Sequence, residues 1–201
     1  MGKKTETIEN FKKAISSTIK SIIGDEHIEV IFGNEVEKKN KKTISLPDVI
    51  NTDNEIDYIK TRALADSEAL RLKCSDVNIY NSFEPKGNIA KLLYAVAEKI
   101  RYENIGSLYF KGIKENLNQF YEVRRRKKND NKIDDYEFLD AFEYYLRSNV
   151  SKFDRNKNSD DRYKKYKKKF DFILKDKLET LNNSLLDQKK FNALISQLIL
   201  Q

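Results

Sequence analysis

The sequence predicts a mainly α fold, a multi-helix bundle carrying one short β-hairpin near residues 28–47. Three observations lead there. Apolar residues recur at i, i+3 and i+4 along most of the chain, the signature of helices with one buried face. With only 2 prolines and 6 glycines in 201 residues, there are too few turn signals for an all-β chain. A charged fraction of 35% against 39% hydrophobic suits amphipathic helices with solvated outer faces.

The first helix is read from Ile8, Phe11, Ile15, Ile19 and Ile22, with Glu6 and Glu9 in its opening turn, where the helix dipole favours them. Gly24 closes it. In "HIEVIFGN" the period becomes two: Ile28, Val30 and Phe32 alternate with His27, Glu29 and Ile31. "KTISLP" repeats the alternation through Ile44 and Leu46. These are two short strands joined by a lysine-rich loop at 34–42 and stopped by Pro47. A lone hairpin is barely stable in water, so it must lie against helices.

From Asp53 one long helix is expected through "EIDYIKTRALADSEALRLKCSDVNIYNSF", ended by Pro85-Lys86-Gly87. Asn88 can cap the next, with the stripe Ile89, Leu92, Leu93, Val96 and Ile100. Gly106 is expected to take a positive φ and break the chain. Ser107 then caps a further helix with Leu108, Ile113, Leu117 and Phe120 inward. The basic run 124–128 and "NDNKID" read as a solvated loop. Asp134 opens a helix with Leu139, Phe142, Tyr145 and Leu146 inward. "RSNVSKFDRNKNSDD" is the most linker-like stretch. Two or three more helices follow, the last capped by Asp187 and using Phe191, Leu194, Ile195 and Leu198. Its apolar end, "LISQLILQ", either packs on the body or precedes more chain. The domain reading is a helical domain with the hairpin over 1–150 and a helical extension over 151–201.

The formal charge is +7, most simply spread over solvated lysine-rich faces. The alternative is a polyanion partner such as nucleic acid, contacted through Arg124, Arg125, Arg126, Lys127 and Lys128 or through the lysines of 164–169. Tyr163, Tyr166 and Phe170 interleave with those lysines at helical spacing and read as core-facing. The single cysteine, Cys74, permits no intrachain disulfide, fits a reducing compartment and reads as a small buried hydrophobe. "MGKKTETIENFKK" lacks the apolar core of a secretory signal. Glu6 stands where a myristoylation motif needs Ser or Thr. No apolar run reaches the roughly 20 residues that span a bilayer. A soluble, cytoplasmic protein is expected.

Several catalytic signatures are missing. The sequence holds neither a phosphate-cradling G-x-x-x-x-G-K-[ST] nor a G-x-G-x-x-G. One histidine, His27, rules out H-E-x-x-H zinc chemistry, and with one cysteine no cysteine–histidine tetrad forms. Carboxylate pairs such as Glu98 with Glu103, or Asp66 with Asp76, remain formally available. A hydrolase built on Asp66, Glu98 and Glu103 would need them converging in a pocket.

The segment "EKIRYENIGSLYFKGIKENL", residues 98–117, holds the most pointed arrangement. Glu98 and Arg101, three apart, share a helix face and can pair. Gly112 costs about 1 kcal/mol against alanine in a helix, tolerable where a neighbouring helix approaches closely. Asn116 can donate to what packs there. Asp66, Arg71, Asp76, Glu98, Arg101, Glu103 and Asn116 form the candidate structural or partner-binding polar set. No residue is assigned a catalytic, cofactor-binding or metal-binding role.

These residues carry a resemblance. "ENFKKAISSTIKSIIGDEHIEVIFGN", "SLPDV", "RALADSEALRLKCSD", "PKGNIAKLLYAVAEKIRYENIGS" and "KGIKENL" together resemble the N-terminal region of the CobT family of cobaltochelatase subunits. The matching positions include Leu46 and Pro47; Ala65, Asp66 and Ser67; Ala69 to Leu72; and Pro85 and Gly87. They continue with Glu98, Arg101, Glu103, Gly106, Ser107, Gly112, Ile113, Asn116 and Leu117. "LLDQKKFNALISQL" matches more weakly. Ser75 stands where the family often has histidine.

The resemblance implies a helical assembly module of the ATP-dependent machine that inserts cobalt into a corrin ring in cobalamin biosynthesis. Its partners would be an AAA+ ATPase subunit and a large corrin-binding subunit, with ATP, magnesium and cobalt belonging to the complex and no cofactor in this chain. Family members continue through an acidic tract into a von Willebrand factor A domain with an Asp-x-Ser-x-Ser metal site. This sequence lacks that motif, so its magnesium site does not carry over. An N-terminal piece of a longer chain, or a shortened homologue, is expected.

Overall fold

A computed structural model describes residues 2–33, 43–49, 55–127, 134–150 and 161–201. Its elements run α1 (Gly2–Ile23), β1 (Glu29–Phe32), β2 (Thr43–Leu46), α2 (Glu55–Cys74), α3 (Val77–Phe83), α4 (Asn88–Tyr109) and α5 (Lys111–Lys127). Then come α6 (Asp134–Val150), α7 (Asp161–Leu174), a 3-10 turn (Lys175–Lys177), α8 (Leu178–Asn183) and α9 (Gln188–Ile199). The protein is mainly α, as its apolar spacing predicts. It divides into two compact units, Met1–Lys73 with Phe110–Lys128, and Cys74–Tyr109 with Asn129–Gln201.

In the first unit, α1 buries Ile15, Ile19 and Ile22. It stops where expected: Gly24, at φ +80°, turns its N–H back to the Lys20 carbonyl at 2.8 Å. The helix begins at Gly2, so Glu6 and Glu9 fall beyond its opening turn. The two strands form at the expected residues but pair in parallel, Glu29 with Thr43 through Phe32 with Leu46. The expected hairpin is therefore incorrect. Alternation specifies which face is buried (here Ile44 and Leu46) and is the same for either strand direction. The connection at 34–42 lies outside the described residues. Helix α2 is buried around much of its circumference by Thr61, Ala63, Ala65, Asp66, Ser67, Ala69 and Leu70. Small side chains let a helix be enclosed in this way.

The expected single helix from Asp53 to Phe83 is two helices. Ser75 and Asp76 separate α2 from α3, and the Asp76 carboxylate caps α3 by accepting from Asn78 N (2.7 Å) and Ile79 N (3.4 Å). Aspartate and serine compete with the helix for backbone hydrogen bonds, which is why they end helices as well as start them. Glu84, before Pro85, is extended at ψ 121°, as proline demands. Gly87, at φ +101°, offers its carbonyl to Lys91 N at 3.0 Å, so Asn88 is the first residue of α4 rather than its cap.

Gly106 and Ser107 do not break the chain. Both lie within α4, where the Ser107 hydroxyl donates to the Glu103 carbonyl one turn back at 2.7 Å instead of capping a new helix. The break comes at Phe110. Leu108 is consequently exposed, not inward, and the buried stripe of α4 runs through Leu93, Tyr94, Ala97 and Ile100 while Ile89 and Leu92 are nearly half exposed. The basic run does not begin a loop, since residues 124–127 belong to α5.

The second unit has one aliphatic–aromatic core shared by α4, α6, α7, α8 and α9, including Tyr94, Phe142, Tyr145, Phe170, Leu181, Phe191 and Ile195. Phe170 holds it together from α7. Its ring lies 5.3 Å from Tyr145, 5.5 Å from Phe138 and 5.8 Å from Phe142. Such pairs add to plain area burial. The final helix begins as expected, with the Asp187 carboxylate accepting from Lys190 N at 3.1 Å. Its Leu198 is buried, so the apolar end packs on this unit. No described helix is long and apolar enough to cross a membrane.

Phe170→Ala should lower stability by about 3–5 kcal/mol, read as a shift of the urea midpoint with an unchanged slope. A loss below 1 kcal/mol would show that Phe170 does not organise this core.

Candidate functional site

Helix geometry places Glu98 and Arg101 on one face of α4, and α4 carries that face inward. Arg101 is 1% exposed, the largest side chain so deeply buried among the described residues. An isolated buried charge is very costly, so each donor must find an acceptor. Arg101 Nε donates to Glu98 Oε2 at 2.8 Å and Nη2 to Oε1 at 2.8 Å, a two-point fork. Nη1 reaches the Leu185 carbonyl at 3.0 Å. Nη2 also reaches the Cys74 carbonyl and, at 3.2 Å, Ser75 Oγ.

Glu98 is saturated in turn. Besides the guanidinium, its Oε1 accepts from Ser75 Oγ at 2.6 Å and from Gln188 Nε2 at 3.2 Å. The Gln188 amide also joins α9 to the start of α3: its Oε1 accepts from Asp76 N at 2.7 Å and its Nε2 donates to the Asp76 carbonyl at 3.1 Å. One ion pair thus ties together the end of α2, the cap of α3, the middle of α4 and the start of α9. The guanidinium itself accepts no proton.

The negative charge at Glu98, together with burial, raises the phenol of nearby Tyr94, burial being the larger cause; that hydroxyl donates to the Tyr80 carbonyl at 3.0 Å.

The candidate set falls into separate places. Asp76, Glu98 and Arg101 share the node just described. Glu103, fully buried two residues further along α4, faces α6: Arg147 Nη2 sits 2.8 Å from Glu103 Oε2, and Arg147 Nε is 3.1 Å from Glu143. Asp66 and Asn116 meet in the first unit, where Asn116 Nδ2 donates to Asp66 Oδ2 at 2.6 Å and Arg62 Nε stands 3.7 Å away. Arg71 joins none of these; half exposed, it pairs with Glu68 at 2.9 Å. Gly112 lies in the first turn of α5 with open space where a Cβ would be. No neighbour approaches Gly112 closely among the described residues, and Asn116, one turn on, reaches Asp66.

Burial dominates at Asp66, and its carboxyl is raised above the ordinary 3.8 against the smaller opposing pulls of Asn116 and Arg62. His27 is exposed, with its backbone N–H bonded to Asp25. Cys74 is half-buried, where full burial was expected. Among the described residues, no three His, Cys, Asp or Glu side chains gather to hold a metal ion. Ser75, Arg147 and Gln188 were invisible as partners in the sequence, since their roles depend on helices 23 to 112 residues apart meeting. Asn192 was also missed; it is fully buried in α9, and neither side-chain polar atom has a hydrogen-bond partner among the described residues.

The family model described as cobalamin biosynthesis protein CobT matches residues 5–201. The chain belongs to the CobT family. Membership places it in cobalamin biosynthesis. No solved structure matches the chain. Several of the positions that carry the likeness to CobT are buried. Asp66, Ser67, Glu98, Arg101 and Glu103 are all buried, and their spacing follows from where they point. The three-residue step from Glu98 to Arg101 puts both in one fork, while Glu103 turns toward α6.

Arg101→Met should destabilise the protein by about 3–5 kcal/mol, because Glu98 is left buried without its cation. Arg101→Lys should also lose stability, since an ammonium cannot reproduce the fork. Adding Glu98→Gln to Arg101→Met should recover part of the loss in urea unfolding. Equal losses for the single and double variants would show that the pair is not coupled.

For Asp66, the folded state holds its proton more tightly than the unfolded chain. Between 3.8 and the raised folded value, stability therefore falls as pH rises, and the penalty is complete above that value. Asp66→Asn should lack this dependence and exceed the parent in stability at neutral pH, with the difference shrinking on acidification. Parallel pH profiles for the two proteins would overturn this assignment.

Proposed function

We propose that the chain is a non-catalytic N-terminal assembly domain of a CobT-like subunit of the ATP-dependent cobaltochelatase, the cytoplasmic enzyme that inserts cobalt into a corrin ring. The observation that carries this reading is the family match over residues 5–201, taken with the use of its polar motif in buried contacts. Glu98 and Glu103, the carboxylates that a hydrolytic reading would enlist, are engaged by Arg101 and Arg147. Asp66 belongs to the other unit and has its own partners.

In this reading the fold supplies rigidity. The buried motif charges fix helix ends or helix pairs, so the outer surface is held in one shape for partners to dock on. Those partners are the AAA+ ATPase subunit and the large corrin-binding subunit. ATP and magnesium are bound by other parts of the complex, and cobalt is substrate.

Mixing the chain with purified ATPase and corrin-binding subunits should give co-elution with at least one of them in size-exclusion chromatography. The chain alone should neither hydrolyse ATP nor insert cobalt. Association with neither subunit, or turnover by the isolated chain, would overturn the proposal.

A further inference from the structure

Helix α7 turns Tyr166, Phe170 and Leu174 inward against α6 and the aromatic core. Its opposite face carries Phe172, which at 92% is the most exposed large apolar side chain among the described residues. Nothing in the core requires an aromatic ring there. At 100° per residue, Lys165, Lys168, Lys169 and Lys175 all project within about 60° of it, and all four are exposed. Asp176 lies in the same sector.

Two of these lysines are held in place. Lys165 Nζ lies 4.9 Å over the Tyr166 ring and 3.5 Å from Glu137, and Lys169 Nζ lies 5.4 Å over the Phe138 ring. Both ammonium groups lean toward α6 and are partly ordered before any partner arrives, which lowers the entropic cost of engaging them.

We infer that this face of α7 binds an acidic protein segment carrying an apolar residue, the apolar side chain covering Phe172 and flanking carboxylates meeting Lys165, Lys168 and Lys175. The charge is complementary to such a segment. A membrane surface fits poorly, because interfacial helices present a broad apolar band and this face has one ring. Single-stranded nucleic acid favours a groove with several stacking aromatics, and this is a convex helix with one.

The test uses the full chain and a fluorescent peptide of glutamates around one central leucine, followed by anisotropy. Binding should be seen at low salt and weaken as salt screens it. Phe172→Ser should bind about tenfold more weakly, as should the pair Lys165→Ser with Lys168→Ser. Both variants alter exposed side chains, and circular dichroism would verify the fold. Replacing the leucine by glutamate should reduce parent binding and leave Phe172→Ser binding unchanged. No peptide binding, equal binding by parent and variants, or tighter Phe172-dependent binding of oligo-dT or phosphatidylserine vesicles would each overturn the inference.

Discussion

The second unit depends on a buried cation being fully satisfied. Arg101 cannot lose its charge in a protein, and at 1% exposure it has no water to turn to. Its guanidinium must therefore find Glu98 and backbone carbonyls, and those carbonyls come from chain segments remote in sequence, Cys74 and Leu185. An alternative packing of these segments would strand the charge. A pair of this kind adds little stability over a hydrophobic replacement, but it penalises wrong arrangements heavily. This polar centre sits in a helix that elsewhere buries Leu93, Tyr94, Ala97 and Ile100.

The same logic accounts for how the chain spends its charges. Glu103 and Arg147 join α4 to α6, while Asp66 and Asn116 make a smaller polar contact in the other unit. Among the described residues no lysine is buried, while Glu98 and Glu103 each face an arginine. The α7 face around Phe172 belongs to the exterior.

Legibility in the sequence followed locality. The ends of α1 and α9 were readable because Gly24 and Asp187 act on backbone groups within four residues. The Glu98–Arg101 pairing was readable from its spacing alone. The split at Ser75-Asp76 was equally local and carried a usable signal, an aspartate followed by two backbone N–H groups it could cap, but the apolar residues on both sides suggested continuity. Gly106-Ser107 erred the other way. A glycine–serine pair suits a helix end, yet burial of α4 on nearly every side and the Ser107 bond to Glu103 kept it helical.

By itself the sequence determined the mainly α class, most helix positions, the two strands with the buried face of the second, and the family. All of these rest on interactions spanning a few residues or on a pattern of residue types. Only the tertiary structure decided that the strands run parallel, that Ile89, Leu92 and Leu108 lie outside the buried stripe, and that Ser75, Gln188 and Arg147 complete the polar contacts. Strand direction leaves no trace in a period of two, and a helix wheel does not say which of two neighbouring stripes will find a partner. Pairings across scores of residues exist only once the helices have met.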